Sequence, residues 1–211
     1  MKMKKNVLIV MSVLALSISQ GNAQNPKAGS IIDAMQQKYK TMKSFAATFS
    51  YGLEGSKQAL QGSITVKGQK YRLKLAGQEL FNNGKEIATF IKETNEVNIS
   101  DYEPSENDLN PAKIYSFDKK NYKYTFVQEV KEGAATYEII ELAPEKKGQV
   151  SKVKIKLNKA DKSVKSWTIT DKNGKRQVFN IIKFTPNANV DDKFFAFDKS
   201  KYPGVEVNDL R

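Results

Sequence analysis

The sequence predicts a mainly β protein of the α+β class: an antiparallel sheet or barrel of about ten or eleven short strands, preceded by one helix. Three observations carry this. Apolar residues switch from helical spacing to strict alternation at Phe45. Turn-forming clusters then punctuate the chain at short intervals. No alternation of strand and helix patterns follows, which argues against a doubly wound parallel sheet.

The first residues read as an export signal. Lys2, Lys4 and Lys5 precede an apolar run from Val7 to Ile18, and Gly21-Asn22-Ala23 follows as a small-residue cleavage site. The run is about a dozen residues, short of the roughly 20 that a membrane-spanning helix needs. Residues 1–23 are expected to be removed. No Cys follows the run, so no lipid-modified N-terminus is expected.

Asn25-Pro26 then supplies a capping residue followed by proline at the first helical position, where a missing N–H costs nothing. Ala28, Ile31, Ile32, Met35, Tyr39 and Met42 recur at three- and four-residue spacing. This predicts an amphipathic helix over 26–41 whose apolar stripe must lie on another element.

Phe45, Ala47, Phe49, Tyr51 and Leu53 share one side of the first strand. Leu60, Gly62, Ile64 and Val66 share one side of the next, followed by Tyr71, Leu73 and Leu75. Further strands are expected over 87–91, 97–101, 122–130, 136–142, 153–157, 164–170 and 177–184. Clusters such as Glu54-Gly55-Ser56, Asn82-Asn83-Gly84 and Lys172-Asn173-Gly174 supply the turns. The pattern breaks between Glu103 and Lys120, where Asn110-Pro111 leads into Ala112, Ile114, Tyr115 and Phe117. A loop with one or two helical turns is expected there, as a second covering element. No internal repeat or interdomain linker interrupts 24–211, which is expected to form a single domain.

Composition narrows the chemistry. The chain has 35 Lys and Arg against 23 Asp and Glu, a net charge of +12, and its arginines are Arg72, Arg176 and Arg211. Lysine is a hydrated point charge, so the excess favours a solvated basic surface or an anionic membrane face over sequence-specific nucleic-acid readout. Tyr122, Tyr124 and Phe126 beside Lys119, Lys120 and Lys123 superficially fit base stacking, but an exported protein rarely meets that ligand. With no His and no Cys, the Ser-His-Asp, Cys-His and zinc-hydrolase classes are closed. Two carboxylate pairs remain, Asp101 with Glu103 and Asp191 with Asp192, each at a strand end or in a polar turn where acidic residues are ordinary. The glycines lie in separate turns and form no nucleotide-binding fingerprint. No cofactor and no metal site is expected. The rings of Tyr71, Phe81, Phe90, Tyr115 and Trp167 either fill the sheet's buried face or line an apolar cavity within it.

Four stretches, in order, resemble the outer-membrane lipoprotein carrier protein (LolA) family. They are the helix running into Lys43-Ser44-Phe45-Ala46-Ala47-Thr48-Phe49-Ser50, and the Gly62-Ser63-Ile64-Thr65-Val66-Lys67 strand with Tyr71-Arg72-Leu73. The third is the Asn83-Gly84-Lys85 turn. The fourth runs from Asp171-Lys172-Asn173-Gly174-Lys175 through Val178-Phe179-Asn180 and Phe195-Ala196-Phe197 to Pro203-Gly204-Val205-Glu206-Val207. The resemblance implies a half-open antiparallel β-barrel whose concave apolar face is roofed by the N-terminal helix and a short helical segment acting as lid. It implies a periplasmic monomer, not an enzyme, that escorts acylated lipoproteins from an inner-membrane lipoprotein-release complex to the outer membrane, with an outer-membrane receptor as a further partner. The expected cavity lining is Ile64, Val66, Tyr71, Leu73 and Phe90 from the sheet, with Ile31, Met35, Ile114 and Tyr115 from the covering segments. The family's Arg-Pro pair, whose arginine helps hold the lid shut, is replaced here by Gly68-Gln69-Lys70. Lys70 and Arg72 are the neighbouring cations that could take that role. Two rival readings are a protein of the same shape that carries another lipid or glycolipid, or senses envelope state, and a secreted hydrolase in which two of the four named carboxylates converge.

Overall fold

The computed structural model describes residues 25–103, 115 and 117–211. The expected signal over 1–23 and most of the second covering segment, Ile114 included, lie outside the described residues.

Helix α1 (Pro26–Lys40) begins as its sequence dictates: the Asn25 side chain accepts a hydrogen bond from the Ala28 N–H at 3.0 Å, and Pro26 occupies the first turn. Lys38 and Lys40 sit in the last turn, where cations suit the negative end of the helix dipole.

Two meanders follow. The first comprises β1 (Phe45–Leu53), β2 (Leu60–Lys67), β3 (Lys70–Leu75), β4 (Gln78–Asn82), β5 (Glu86–Ile91) and β6 (Glu96–Asp101). The second comprises β7 (Tyr122–Glu132), β8 (Ala135–Pro144), β9 (Val150–Asn158), β10 (Val164–Asp171) and β11 (Arg176–Pro186). They join along a β1–β11 seam, in register from Phe45 opposite Pro186 to Leu53 opposite Gln177, with an irregularity at Thr48/Phe49. A last short strand, β12 (Glu206–Asp209), runs parallel to β6. The sheet order is β12-β6-β5-β4-β3-β2-β1-β11-β10-β9-β8-β7. Its edges, β12 and β7, do not pair, so the sheet stays open.

There are thus twelve strands among the described residues, and the two beyond the sequence expectation are β4 and β12. The β3–β4 turn is a two-residue link, Ala76 and Gly77, both at positive φ (55° and 77°). It lacks the Asn-Gly or Asp-Gly pair that marks such turns in a sequence. Strand β12 reads Glu206-Val207-Asn208-Asp209, too polar to alternate, and is held by main-chain pairing.

Cross-strand register sorts the side chains onto two faces. On the helix-side face, Phe45, Val66, Tyr71, Ile140, Ile155 and Leu157 form one cluster with Ala28, Ile31, Ile32 and Met35 of α1. Ile32 and Met35 are fully buried there, each stabilising the contact by about 2 kcal/mol. On the outer face, Phe81, Ala88 and Val97 are covered by Phe197, Tyr202 and Val205 of the segment that follows β11. Strand β4 therefore packs on both sides, with Leu80 against the helix-side cluster and Phe81 against the outer segment.

Candidate functional site

The candidate site is the apolar layer between α1 and the helix-side face. Ile31, Met35, Val66, Tyr71 and Tyr115, all expected as lining, are buried in it, with Ile64 and Leu73 half-buried against the same cluster. Phe90 is not among them. It pairs with Glu79 and Val97 on the outer face, where its ring lies 4.6 Å from that of Tyr202. The cause is that β5 is apolar on both sides, so alternation cannot choose a face for it.

At the C-terminal end of α1 the layer opens into a cleft of about 480 Å³ lined by Tyr39, Met42, Phe45, Val66, Tyr115 and Phe117, with Gln36, Lys40 and Lys43 at its polar margin. Tyr39 and Tyr115 stack within it, and Phe45 meets both rings edge-on at 6.0 and 5.2 Å. The Tyr39 hydroxyl accepts the Val164 N–H at 3.1 Å. Burial, the dominant cause, pushes the Tyr39 hydroxyl up to about 12, and pushes that of Tyr115 well above the usual range too. Both phenols stay neutral and ring-packed at physiological pH.

The helix margin is tied more weakly than its apolar stripe. Lys38 pairs with Asp161 at 2.8 Å, Lys27 with Glu129 at 3.2 Å, and Lys119 with Asp33. At least one partner of each pair is more than half exposed, so solvent screens all three and leaves them weak. Gln36 Nε2 donates to the Phe117 carbonyl at 2.6 Å.

Lys70 and Arg72 do not hold this lid. Both project to the outer face and hold the segment after β11: Lys70 and Lys67 reach Asp192 at 2.7 and 2.8 Å. Arg72 Nε donates to Glu79 at 2.5 Å and its guanidinium lies over the rings of Phe81 and Phe194. Tyr202 completes the group, its hydroxyl donating to Glu79 at 2.9 Å. Burial tends to raise the Glu79 carboxyl, but the bonds from Arg72, Lys74 and Tyr202 outweigh it and hold the group below the usual carboxylate range.

Of the carboxylates proposed for hydrolysis, two are engaged elsewhere and two are solvent-exposed. Asp191 accepts the Lys193 N–H, Asp192 is ion-paired, and Asp101 and Glu103 are exposed. Among the described residues no group of three or more acidic, His or Cys side chains is placed to hold a metal.

Sequence reasoning left one feature of the site unread. A row of neighbouring positions crosses the sheet from Leu60 on β2 through Tyr51, Phe179, Trp167 and Ile155 to Ile140 on β8. It grades from Leu60, 49% exposed, to Ile140, fully buried beneath α1. Trp167 Nε1 is buried in this row without a hydrogen-bond partner. Only the long-range β1–β11 pairing creates the row, so no local spacing announces it.

The family model described as outer membrane lipoprotein carrier protein LolA matches residues 38–198. The chain belongs to the LolA family. Its match begins in the last turn of α1 and takes in the sheet from β1 to β11. Among solved structures, an uncharacterized conserved protein from Thermus thermophilus shares the fold at a TM-score of 0.60 and 13% identity, over 87% of this chain and 99% of that one. A putative outer membrane lipoprotein-sorting protein domain from Vibrio parahaemolyticus aligns at 0.48 and 11%, over 84% and 98%. A chain of the Pseudomonas aeruginosa MucA/MucB complex aligns at 0.48 and 14%, over 82% and 62%. A search of curated proteins found no match. Among the described residues, no helix is long and apolar enough to cross a membrane.

Proposed function

We propose that this LolA-family chain, after losing residues 1–23, works in the periplasm as a single carrier domain over 24–211. It shelters the acyl chains of lipoproteins between α1 and the helix-side face on their way from an inner-membrane release complex to the outer membrane. The observation that carries the reading is the apolar layer itself, which opens into a 480 Å³ cleft of mainly apolar lining beneath a weakly tethered helix. That volume falls in the range of about 300–1,000 Å³ usual for ligand sites.

The physical logic is exchange. Each acyl CH₂ removed from water gains about 0.8 kcal/mol, so a lipoprotein's chains need an apolar host during an aqueous crossing. In the closed form Ile31, Met35, Val66 and Tyr71 occupy that host layer with one another. A chain entering at the cleft replaces contacts of α1 with contacts of its own. The difference between the two sets, not the full burial energy, fixes its affinity, which leaves delivery reversible.

The test uses protein purified from the cell envelope, with bound acylated lipoprotein sought by mass spectrometry and a fluorescent fatty-acyl probe titrated against the protein. Saturable probe binding that quenches Trp167, with lipoproteins mislocalised on depletion, is expected. Absence of a saturable site removes the reading. Recovery of free lipid in place of lipoprotein keeps the site and changes its cargo.

A further inference from the structure

We infer that the end of the sheet remote from the α1 cleft is a docking surface for an anionic lipid bilayer. The six contiguous strands β2, β1, β11, β10, β9 and β8 alternate in direction, so the β1–β2, β10–β11 and β8–β9 hairpins project from one end. The Tyr39–Val164 bond and the α1 cleft lie at the other.

Two properties coincide at the hairpin end. The first is apolar exposure: Leu53 and Leu60, flanking the β1–β2 turn, are 45% and 49% exposed. They stand beside Tyr51 and Phe179, whose rings lie 4.7 Å apart. These residues share the helix-side face but lie beyond the buried cluster under α1.

The second is unbalanced charge. The three hairpins carry Lys57, Lys146, Lys147, Lys172, Lys175 and Arg176 against Glu54, Asp171 and Glu145. Glu54 is taken by Arg176 at 2.7 Å, and Asp171 turns inward to accept the N–H groups of Asn173 and Lys175. The five lysines are exposed and form no ion pair among the described residues. Exposed leucines and unpaired lysines at the same end of the sheet match a surface that is negative outside and hydrocarbon inside, which is an anionic bilayer. A protein partner would need a carboxylate set opposite five dispersed ammonium groups on mobile stems, a demanding geometry that a fluid lipid surface meets without registry.

Docking of this end to a bilayer does not depend on acyl chains binding beneath α1. Where the two meet, the Leu60-to-Ile140 row gains a meaning that rests on the acyl-chain reading: it is an apolar track from the bilayer-facing rim to the layer beneath α1.

The experiment is sedimentation of the purified protein, produced from the full chain, with phosphatidylcholine vesicles that contain or lack phosphatidylglycerol. Binding to the anionic vesicles, weakened by salt, is expected, with little on pure phosphatidylcholine. Removing two charges in K172Q/K175Q should weaken it roughly thirty-fold. L53S/L60S should abolish the part that survives high salt. Both variants change exposed side chains, and unchanged circular dichroism and retained acyl-probe binding in K172Q/K175Q would separate docking from cargo binding. Equal binding to both vesicle types, or wild-type binding by K172Q/K175Q, overturns the inference. So does a concentration-dependent dimer that L53S/L60S disperses, because the leucines would then face a second copy of the chain.

Discussion

Tyr39 on α1 and Tyr115 lie face to face, ring centroids 3.8 Å apart and planes only 9° from parallel. The stack joins the helix to the segment leading into β7, while the Tyr39 hydroxyl reaches past it to the first residue of β10. One side chain thus links the lid, the cleft and the sheet. Tyr39→Phe should keep the ring contacts and strand the buried Val164 N–H, at a cost of about 1–3 kcal/mol. Urea unfolding measures that loss, and acyl-probe affinity should rise in the same variant because the helix leaves more readily.

Alkali should act at the same place. The Tyr39 hydroxyl is raised to about 12, against an ordinary value near 10, so the folded state keeps a proton that the unfolded chain releases. Its contribution is complete below about pH 10 and disappears as the pH rises through 12, a change of roughly 3 kcal/mol. Unfolding midpoints followed between those limits should fall for the wild type. In Tyr39→Phe the fall should be shallower, with the Tyr115 share remaining.

On the outer face, Arg72→Met should be more damaging than its surface-like sequence context suggests. It would leave Glu79, whose side chain is 11% exposed, with only Lys74 and Tyr202 as partners. Breaking a pair this enclosed costs on the order of 3 kcal/mol. The double variant R72M/E79M should recover much of it, as measured by the same unfolding midpoints.

Gly62 faces the opposite constraint, crowding. A Cβ there would sit 2.6 Å from Phe49 Cζ and 2.8 Å from the Lys74 carbonyl oxygen. The ring can swing but the backbone cannot, so Gly62→Ala should cost about 1–3 kcal/mol. Pairing it with Phe49→Leu should relieve only the ring half of the clash, which a double-mutant cycle reads directly.

Acid should loosen the segment that follows β11. The Lys67 and Lys70 ammonium groups hold the Asp192 carboxyl down at about 2, and Arg211 does the same for Asp209. A depressed carboxyl stabilises above its ordinary value near 4, and the effect is lost as the pH falls through 2. Pepsin cleavage near Phe194 and Phe195 should therefore speed up across that window beyond the enzyme's own pH dependence. Asp192→Asn should be cut readily at its upper end.

The helix was legible because its signals are local: Asn25-Pro26 caps it, and Ile31, Ile32 and Met35 fall on one side within a few turns. Strands with one buried face, such as β1 and β2, were legible for the same reason. Strand β4 and the face of β5 were not, because the outer-face segment covers what would otherwise be their polar side, so Phe81 and Phe90 read no differently from Leu80 and Ile87. Arg72, like Lys70, was a lid candidate only through its nearness to the position of the family's Arg-Pro pair. Its carboxylate partner Glu79 is on the next strand, and the rest of its surroundings, Phe194 and Tyr202, come from well over a hundred residues later. The basic end of the sheet was visible only as a total charge until topology brought three hairpins together.

The β1–β11 seam has a further bearing on how the molecule comes into being. Its partners lie roughly 140 residues apart at the Phe45 end, so this is a high-contact-order closure at the middle of the sheet. Until β11 is free to reach β1, the unfolded polypeptide can offer only two half-sheets, each with a raw hydrogen-bonding edge open to stray neighbours. Assembly is thereby deferred until nearly the whole chain is present, and a chaperone holding the early meander unpaired would serve this polypeptide better than one that hurried it.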